Sequence, residues 1–414
     1  MEQGEHTVTG LVKDSQVILV AGLALLVTGC ASTPPSDAKP GEDLSLEPIT
    51  APAPAPLAPT GPVRLVGVGD IMMGTDFPEP GYLNPDLTPG ADLSALIGPR
   101  LLNLLQSADI TFGNMEGSLF DGDGEHKSCK NPKSCYVFRS PEFHGEFLRE
   151  MGFDVMSIAN NHSGDFREAG RNATMAALAR NGIDYAGLDI PGLRTTTLTI
   201  DGGTRVGVLA VAPNWGTVSI NDHETAAGIV RALSSRHDIV LVSFHGGAEG
   251  RTQTSVPREM EIFYGEERGD VYGFAHAMID AGADVILGHG PHVPRAVEVY
   301  RGRFIAYSLG NFWTYGRFNL RGLAGIAPVV NLSLARDGRL LEARIHSIQQ
   351  HGGGVPRIDD SGAALRAVAE LTAADFPEST LVFGPDGEIT GFASETDDNE
   401  KPDGAELPPA MLMY

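Results

Sequence analysis

Five short apolar runs of strand character, spread through the middle of the chain, each end in a side chain that can bind a metal or move a proton. VRLVGVG runs into Asp70 and ADITFGN leads to Glu116. DVMSIA runs into Asn160, Asn161 and His162, DIVLVSF into His245, and ADVILG into His289 and His292. Continuous apolar runs of this kind suit central strands covered on both faces. In open α/β sheets, ligands bind beyond the carboxyl ends of such strands. The chain is thereby held to an α/β fold with a polar site along one sheet edge.

The segments between these runs fit that frame. Helical patterning falls at about 92–107, 141–151, 167–181, 272–281 and 361–372, and Gly152, Gly182 and Gly282 each follow a helix as C-terminal caps do. After Asn311 the pattern changes to alternating apolar and polar residues, APVVNLSLARDGRLLEARIHSIQQ, around Asp337-Gly338, which predicts a β-hairpin. Strand–helix alternation followed by antiparallel strands predicts a layered sandwich with mixed sheets. No repeat of solenoid length is present.

The two ends read differently from the middle. Residues 17–29, VILVAGLALLVTG, have the length of a signal-peptide apolar core and end at Cys30 in a pattern that resembles a bacterial lipobox. Residues 1–30 therefore predict a lipoprotein signal peptide, with Cys30 as the lipidated residue. The preceding segment carries Glu2, Glu5 and Asp14 against Lys13, where a basic stretch is usual. Either translation starts downstream of Met1, or the segment is kept as an anchor. Nine prolines between residues 31 and 62 are too many for packed structure and predict an extended tether. The folded domain is expected over 63–392, and the acidic stretch 393–414 reads as a disordered tail. This organisation predicts a protein of the bacterial cell envelope, bound to the membrane through a lipid and facing out of the cytoplasm. A net charge of −23 argues against a nucleic-acid partner, which needs a basic surface. Of the three cysteines, Cys129 and Cys135 share a Gly/Asn/Pro-rich loop, and outside the cytoplasm they are expected to form a disulfide. Their spacing lacks the form of a zinc hook.

The strand-end residues gain meaning together. An Asp closing GVGD, or a Glu in GNMEG, is weak evidence alone. ANNH sets two amides and an imidazole in one turn, and GHGPH holds two histidines on a stiff loop. Oxygen and imidazole donors without thiolate suit Mn, Fe, Zn or Mg. A two-metal site activates water and clamps a transferring phosphoryl group, which leaves His162 free to protonate a leaving group.

In sequence order GDIMMG, NMEG, ANNHSGDF, FHGG, GHGPHV and YSLGNF resemble the CapA family, named for poly-γ-glutamate capsule synthesis and similar to calcineurin-like metallophosphoesterases. The resemblance implies a four-layer αββα metallophosphoesterase-like sandwich. It also implies that Asp70 binds a first metal with His292, that Glu116 bridges, and that Asn161, His245 and His289 bind a second. His162 would be the general acid, with Asp70 and Glu116 as its catalytic partners. Asn114, Asn160, Tyr307, Ser308, Asn311 and Phe312 would support the site or line its pocket. Three positions depart from the pattern. Met72 stands where phosphoesterases place a histidine, Gly246-Gly247-Ala248-Glu249 replaces WG-x-E, and Gly290 replaces a histidine of GHHPH. One or two divalent ions, or none, are therefore compatible with the sequence. Three readings follow: a metal-dependent phosphoesterase, a metal-free acid/base enzyme on a peptide or γ-glutamyl substrate, and a non-catalytic accessory protein that binds a capsule polymer or its synthesis machinery. Arg251, Arg258, Arg268 and Arg295 lie near the motifs and could supply local positive potential.

Overall fold

The computed structural model describes residues 61–128 and 135–392. Cys30, the apolar segment before it, the proline-rich stretch, the acidic tail and Cys129 lie outside the described residues. The expectations attached to them carry no structural account here. Among the described residues no helix is long and apolar enough to cross a membrane.

The chain builds its two large sheets in turn. It enters the first with β1 (Val63–Met72), β2 (Ile110–Met115), β3 (Val155–Ser157) and β4 (Asp184–Ala186). It crosses to the second for β5 (Thr195–Thr199), β6 (Arg205–Val211), β7 (Ile239–His245), β8 (Val285–His289), β9 (Val297–Tyr300) and β10 (Arg303–Ala306). It then returns to the first with β11 (Asn311–Thr314), β12 (Ile326–Leu334), β13 (Leu340–His351), β14 (Val355–Ile358), β15 (Val382–Phe383) and β16 (Glu388–Thr390). The first sheet runs β15-β16-β13-β12-β1-β2-β3-β4, with β11 beside β1 and β14 beside β13. The second runs β9-β10-β8-β7-β6-β5. Both are mixed. β1 to β4 are parallel while β12 and β13 form the antiparallel hairpin expected around Asp337-Gly338, and β6, β7, β8 and β10 are parallel between antiparallel edges β5 and β9.

The sheets pack face to face. Leu65, Phe112 and Val330 of the first share one buried cluster with Val208, Leu241 and Leu287 of the second. Gly67 permits the approach, since a Cβ there would stand 2.8 Å from Leu287 Cδ1. Helices cover the outer faces. α1 (Leu93–Ile97), α2 (Pro99–Gln106), α3 (His144–Glu150) and α4 (Arg167–Arg180) pack on the first sheet. α5 (His223–Ser234) and α6 (Val271–Asp280) cover the second, and α7 (Ala363–Asp375) lies against β12 and β13. This is a four-layer αββα sandwich with mixed sheets, the layering that the family resemblance implies.

Two helix expectations change. The single helix over 92–107 is two, because Gly98 takes a φ of 84° and Pro99 starts afresh at the first position of α2. α5 is a further helix, beyond those the patterning predicts. Asp222 caps it by accepting from the Thr225 amide, and an apolar face of Ala226, Ile229, Val230 and Leu233 follows.

Candidate metal centre

Parallel strands bring their carboxyl ends together whatever the sequence separation. Asp70 pairs in register with Asn114 of β2 and with Asn311 of β11, and His245 pairs with His289 across β7 and β8. Asp70, Asn114, Glu116, Asn160, His162, His245, His289 and Asn311 are all buried. Ligand atoms of Asp70, Glu116 and His245 lie within 4.8 Å of one another.

Asn114 organises the centre. Its amide donates to Asp70 Oδ1 (2.8 Å) and Glu116 Oε2 (2.9 Å), while its carbonyl oxygen accepts from Asn160 Nδ2 (3.1 Å). Asn160 also donates to the Met115 carbonyl (2.7 Å) and accepts from the His162 amide (3.0 Å), so it fixes the ANNH turn against β2. His292 Nδ1 donates to Asp70 Oδ2 at 2.8 Å, and Asn311 Oδ1 stands 3.1 Å from the same nitrogen. Burial alone would raise the Asp70 carboxyl. The hydrogen bond and charge of His292 outweigh burial and hold Asp70 well below the usual carboxylate range. Burial would likewise lower His292, but its bond to Asp70 and the charges of Asp70 and Glu116 lift it to about 9. His292 adopts a φ of 59°, a conformation that a non-glycine residue keeps only where its surroundings enforce it.

Glu116 and its neighbours are in another state. Burial, then the Asp70 charge, push the Glu116 carboxyl well above its usual range. His162 Nε2 and His292 Nε2 stand 3.9 and 4.0 Å from Glu116 Oε1, too far to bond it. His245 Nδ1 lies 3.3 Å from both Asn114 Nδ2 and Glu116 Oε2. With both Asn114 protons given to carboxylates, the tautomer that suits the site carries its proton on Nδ1 and leaves Nε2 as a lone pair. Glu116 Oε1, His245 Nε2 and Asn161 Oδ1 are buried without a hydrogen-bond partner. Once Glu116 gives up its proton, as a bound cation would require, all three are acceptors. A divalent cation satisfies buried acceptors of oxygen and imidazole type, and since ligand atoms of Asp70, Glu116 and His245 converge, that set fits a metal, with Asn161 in the adjoining turn.

His162 is oriented by groups outside the predicted set. Its Nδ1 proton goes to Asp165 Oδ2 at 2.8 Å, and Asp165 Oδ1 pairs with Lys127 Nζ at 2.5 Å. Phe138 stacks on the imidazole with centroids 4.2 Å apart, and its own amide donates to Asp165. Burial lowers the His162 pKa against the opposing pull of Asp165, which leaves the ring neutral with Nε2 on the Glu116 side. Asp165 was readable, since it lies three residues past His162 in the same turn. Lys127, from a distant loop, was not. Glu249 holds Asn161 Nδ2 at 3.4 Å and pairs with Arg268 at 2.7 Å.

Other expected residues sit elsewhere. His289 is engaged on both ring nitrogens, Nε2 with the Val68 carbonyl at 3.1 Å and Nδ1 with Ser243 Oγ at 3.3 Å. A ligand role for it would require giving up one of those partners. Tyr307 points into the helix-covered face of the second sheet, stacks on Phe376, and donates to Glu298 at 2.7 Å. Phe312 packs edge-on against Phe153 in the core under α1 to α4. Both side chains turn into the helix-covered cores, so neither lines a pocket at the site. Ser308 bonds the Val293 carbonyl at 2.7 Å and the Gly310 amide at 3.2 Å, and so shapes the loop beside Asn311. Gly290 has a φ of 115°, and a Cβ there would lie 2.5 Å from the Gly246 carbonyl oxygen. No histidine fits in its place. Arg268, Arg295 and Arg258 are paired with Glu249, Glu261 and Glu378, so carboxylates offset the positive potential expected of them.

The model of a family described as bacterial capsule synthesis protein PGA_cap matches residues 64–315. The capsule biosynthesis protein CapA of Bacillus anthracis is 30% identical over 261 residues, 59% of this chain and 58% of that protein. The PGA biosynthesis protein CapA of Bacillus subtilis is 28% identical over 269 residues, 60% of this chain and 64% of its own. A probable polyglutamine synthesis accessory protein of Mycobacterium tuberculosis is 35% identical over 180 residues, 38% of this chain and 44% of that protein. The chain thus spans about three fifths of the length of its Bacillus relatives. Among solved structures, a 5'-nucleotidase precursor of Thermus thermophilus aligns over 77% of this chain and 59% of its own, with a TM-score of 0.38 and 12% identity. A likeness at that level carries nothing about chemistry.

Proposed function

This chain belongs to the bacterial capsule synthesis protein family, and we propose that it serves the making or export of an envelope polymer through a divalent-metal hydrolytic site. The observation that carries this reading is the set of three buried acceptors without donors, Glu116 Oε1, His245 Nε2 and Asn161 Oδ1. Glu116, His245 and Asn161 would hold the ion, with Asp70 beside them. A bound divalent ion supplies Lewis acidity and lowers the pKa of its water. The protein does the rest. Asp165 keeps the His162 proton on Nδ1, so that Nε2 is the atom able to exchange a proton with substrate. Phe138 shields one face of that ring, and Asp70 holds His292 as an imidazolium beside the reacting groups. Met72, whose thioether is a poor ligand for a hard cation, leaves the Asp70–His292 side short of one donor, which favours a single ion.

The address is part of the proposal. A lipid on Cys30 would hold the domain on the membrane outside the cytoplasm, next to the polymer machinery. A second reading rests on the same centre without metal. A buried Glu116 that binds its proton tightly, beside an Asp70–His292 pair, is an acid/base set in its own right. One assay separates the two. Purified full-length protein is offered phosphodiester and γ-glutamyl amide substrates after chelation, with and without added Mn or Zn. Turnover that needs the added ion and disappears in His162→Gln supports the metal reading. Turnover equal with and without metal supports the second, and none under either condition with any substrate defeats both.

A further inference from the structure

An exposed tryptophan and an arginine meet beside the His162 turn. Trp215 is 88% exposed, in the loop that follows β6 at the site edge. Arg171 of α4 lies against its ring, with the guanidinium carbon 5.2 Å from the ring centroid, and donates from Nη2 to the Trp215 carbonyl at 2.9 Å. Two glycines make room for it. A Cβ at Gly164 would stand 3.0 Å from Nη2, and one at Gly216 would stand 2.6 Å from Nη1. Gly164 lies two residues from His162 and next to Asp165, so the guanidinium borders the turn that carries the general acid.

The charge is unusual for its setting. Among the described residues no Asp or Glu lies within ion-pair distance of Arg171, although the chain as a whole carries a net charge of −23 and several other arginines near the site are paired. Its Nε is buried with no acceptor, and an acceptor in the same loop, Asn214 Oδ1, is also buried without a donor. A guanidinium is a planar fork that matches a carboxylate or phosphate, and an exposed indole offers apolar area with one N–H donor.

We propose that Arg171 and Trp215 form a substrate subsite on the rim of the metal centre. It takes an oxyanion, carboxylate or phosphate, carried on the repeat unit next to the bond being cleaved. The guanidinium receives the oxyanion, and the indole receives the apolar part of the same unit. This deepens the hydrolytic reading above and rests on it for the word substrate, while the binding itself needs neither metal nor turnover.

The chain carries its own reporter. Of its two tryptophans, Trp313 is fully buried and Trp215 is exposed, so a ligand that reaches the rim changes the emission of Trp215. Metal-stripped full-length protein is titrated with γ-linked hexaglutamate and, separately, with tripolyphosphate. A saturable emission change is expected with at least one of them, and the one that binds identifies the oxyanion. Arg171→Gln, which keeps Trp215 as reporter, should weaken that binding roughly tenfold, the worth of one charge-assisted hydrogen bond. Arg171→Lys, which keeps the charge and loses the fork, should fall between. A thermal melt shared by both variants and the wild type separates binding from folding. No saturable change with either oligomer, or equal binding by folded Arg171→Gln, overturns the subsite. Binding without any metal-dependent hydrolysis would leave the subsite standing and defeat only the hydrolytic reading.

Discussion

The two halves of the sheet-edge site use the same kinds of side chain and end in opposite states. On one side Asp70, His292, Asn114 and Asn311 satisfy one another, and the charges of Asp70 and His292 cancel at 2.8 Å. On the other side Glu116, His245 and Asn161 each keep one buried polar atom without a hydrogen-bond partner. Buried polar groups are ordinarily bonded, so the second half is maintained against stability and the first is not. The difference teaches where a ligand belongs. A self-satisfied pair has little to gain from a cation, whereas three orphaned acceptors have a great deal.

That contrast predicts opposite responses to substitution in metal-stripped protein. Asp70→Ala leaves the His292 imidazolium buried and unpaired, and should destabilise the fold by about 3–5 kcal/mol in a denaturant titration. A loss under about 1 kcal/mol would show that the pair is not holding charge. His144 offers a comparison within the same fold, an imidazole buried without a carboxylate. Burial lowers it to about 3, against 6.5 when free. Between those values the unfolded chain binds the proton and the folded one does not, so stability falls as pH falls from 6.5 towards 3. Replacing His144 with Leu should remove about 1.6 kcal/mol of that fall between pH 6.5 and 5, read as the difference in pH dependence between variant and wild type. An unchanged slope would mean that His144 is solvated. The smallest effect belongs to the orphaned half. Asn161→Ala deletes an unsatisfied acceptor along with the long bond from Nδ2 to Glu249, and should change stability by no more than about 1 kcal/mol in either direction without metal. A large loss there would mean that the group is already satisfied.

The sequence carried the strand ends because an apolar run and the polar residue that stops it are adjacent along the chain. Asp70, Glu116, Asn160, Asn161, His162 and His245 are legible for that reason, as are the layers that parallel strands impose. What was hidden depends on distance or on facing. His289 closes its run as the others do, yet its partners Val68 and Ser243 come from other strands, and Val68 from the other sheet. Tyr307 and Phe312 stand beside residues of the cluster, but their side chains point to opposite faces of the layers, which a motif does not record. Lys127 reaches Asp165 across 38 residues, so no local pattern announces it. Gly98 and Pro99 did announce the break between α1 and α2, and the apolar periodicity across them concealed it.

The central claim is that the orphaned half, and not the self-satisfied half, holds a divalent ion. Metal content settles it most directly, measured on full-length protein loaded with Mn or Zn and then exchanged into metal-free buffer. Wild type, His245→Ala and His292→Gln are measured side by side. The account predicts about one ion per chain in wild type and in His292→Gln, and almost none in His245→Ala, because structural metal sites fail when a direct ligand is removed. Retention of the ion by His245→Ala, or its loss from His292→Gln alone, would contradict the account.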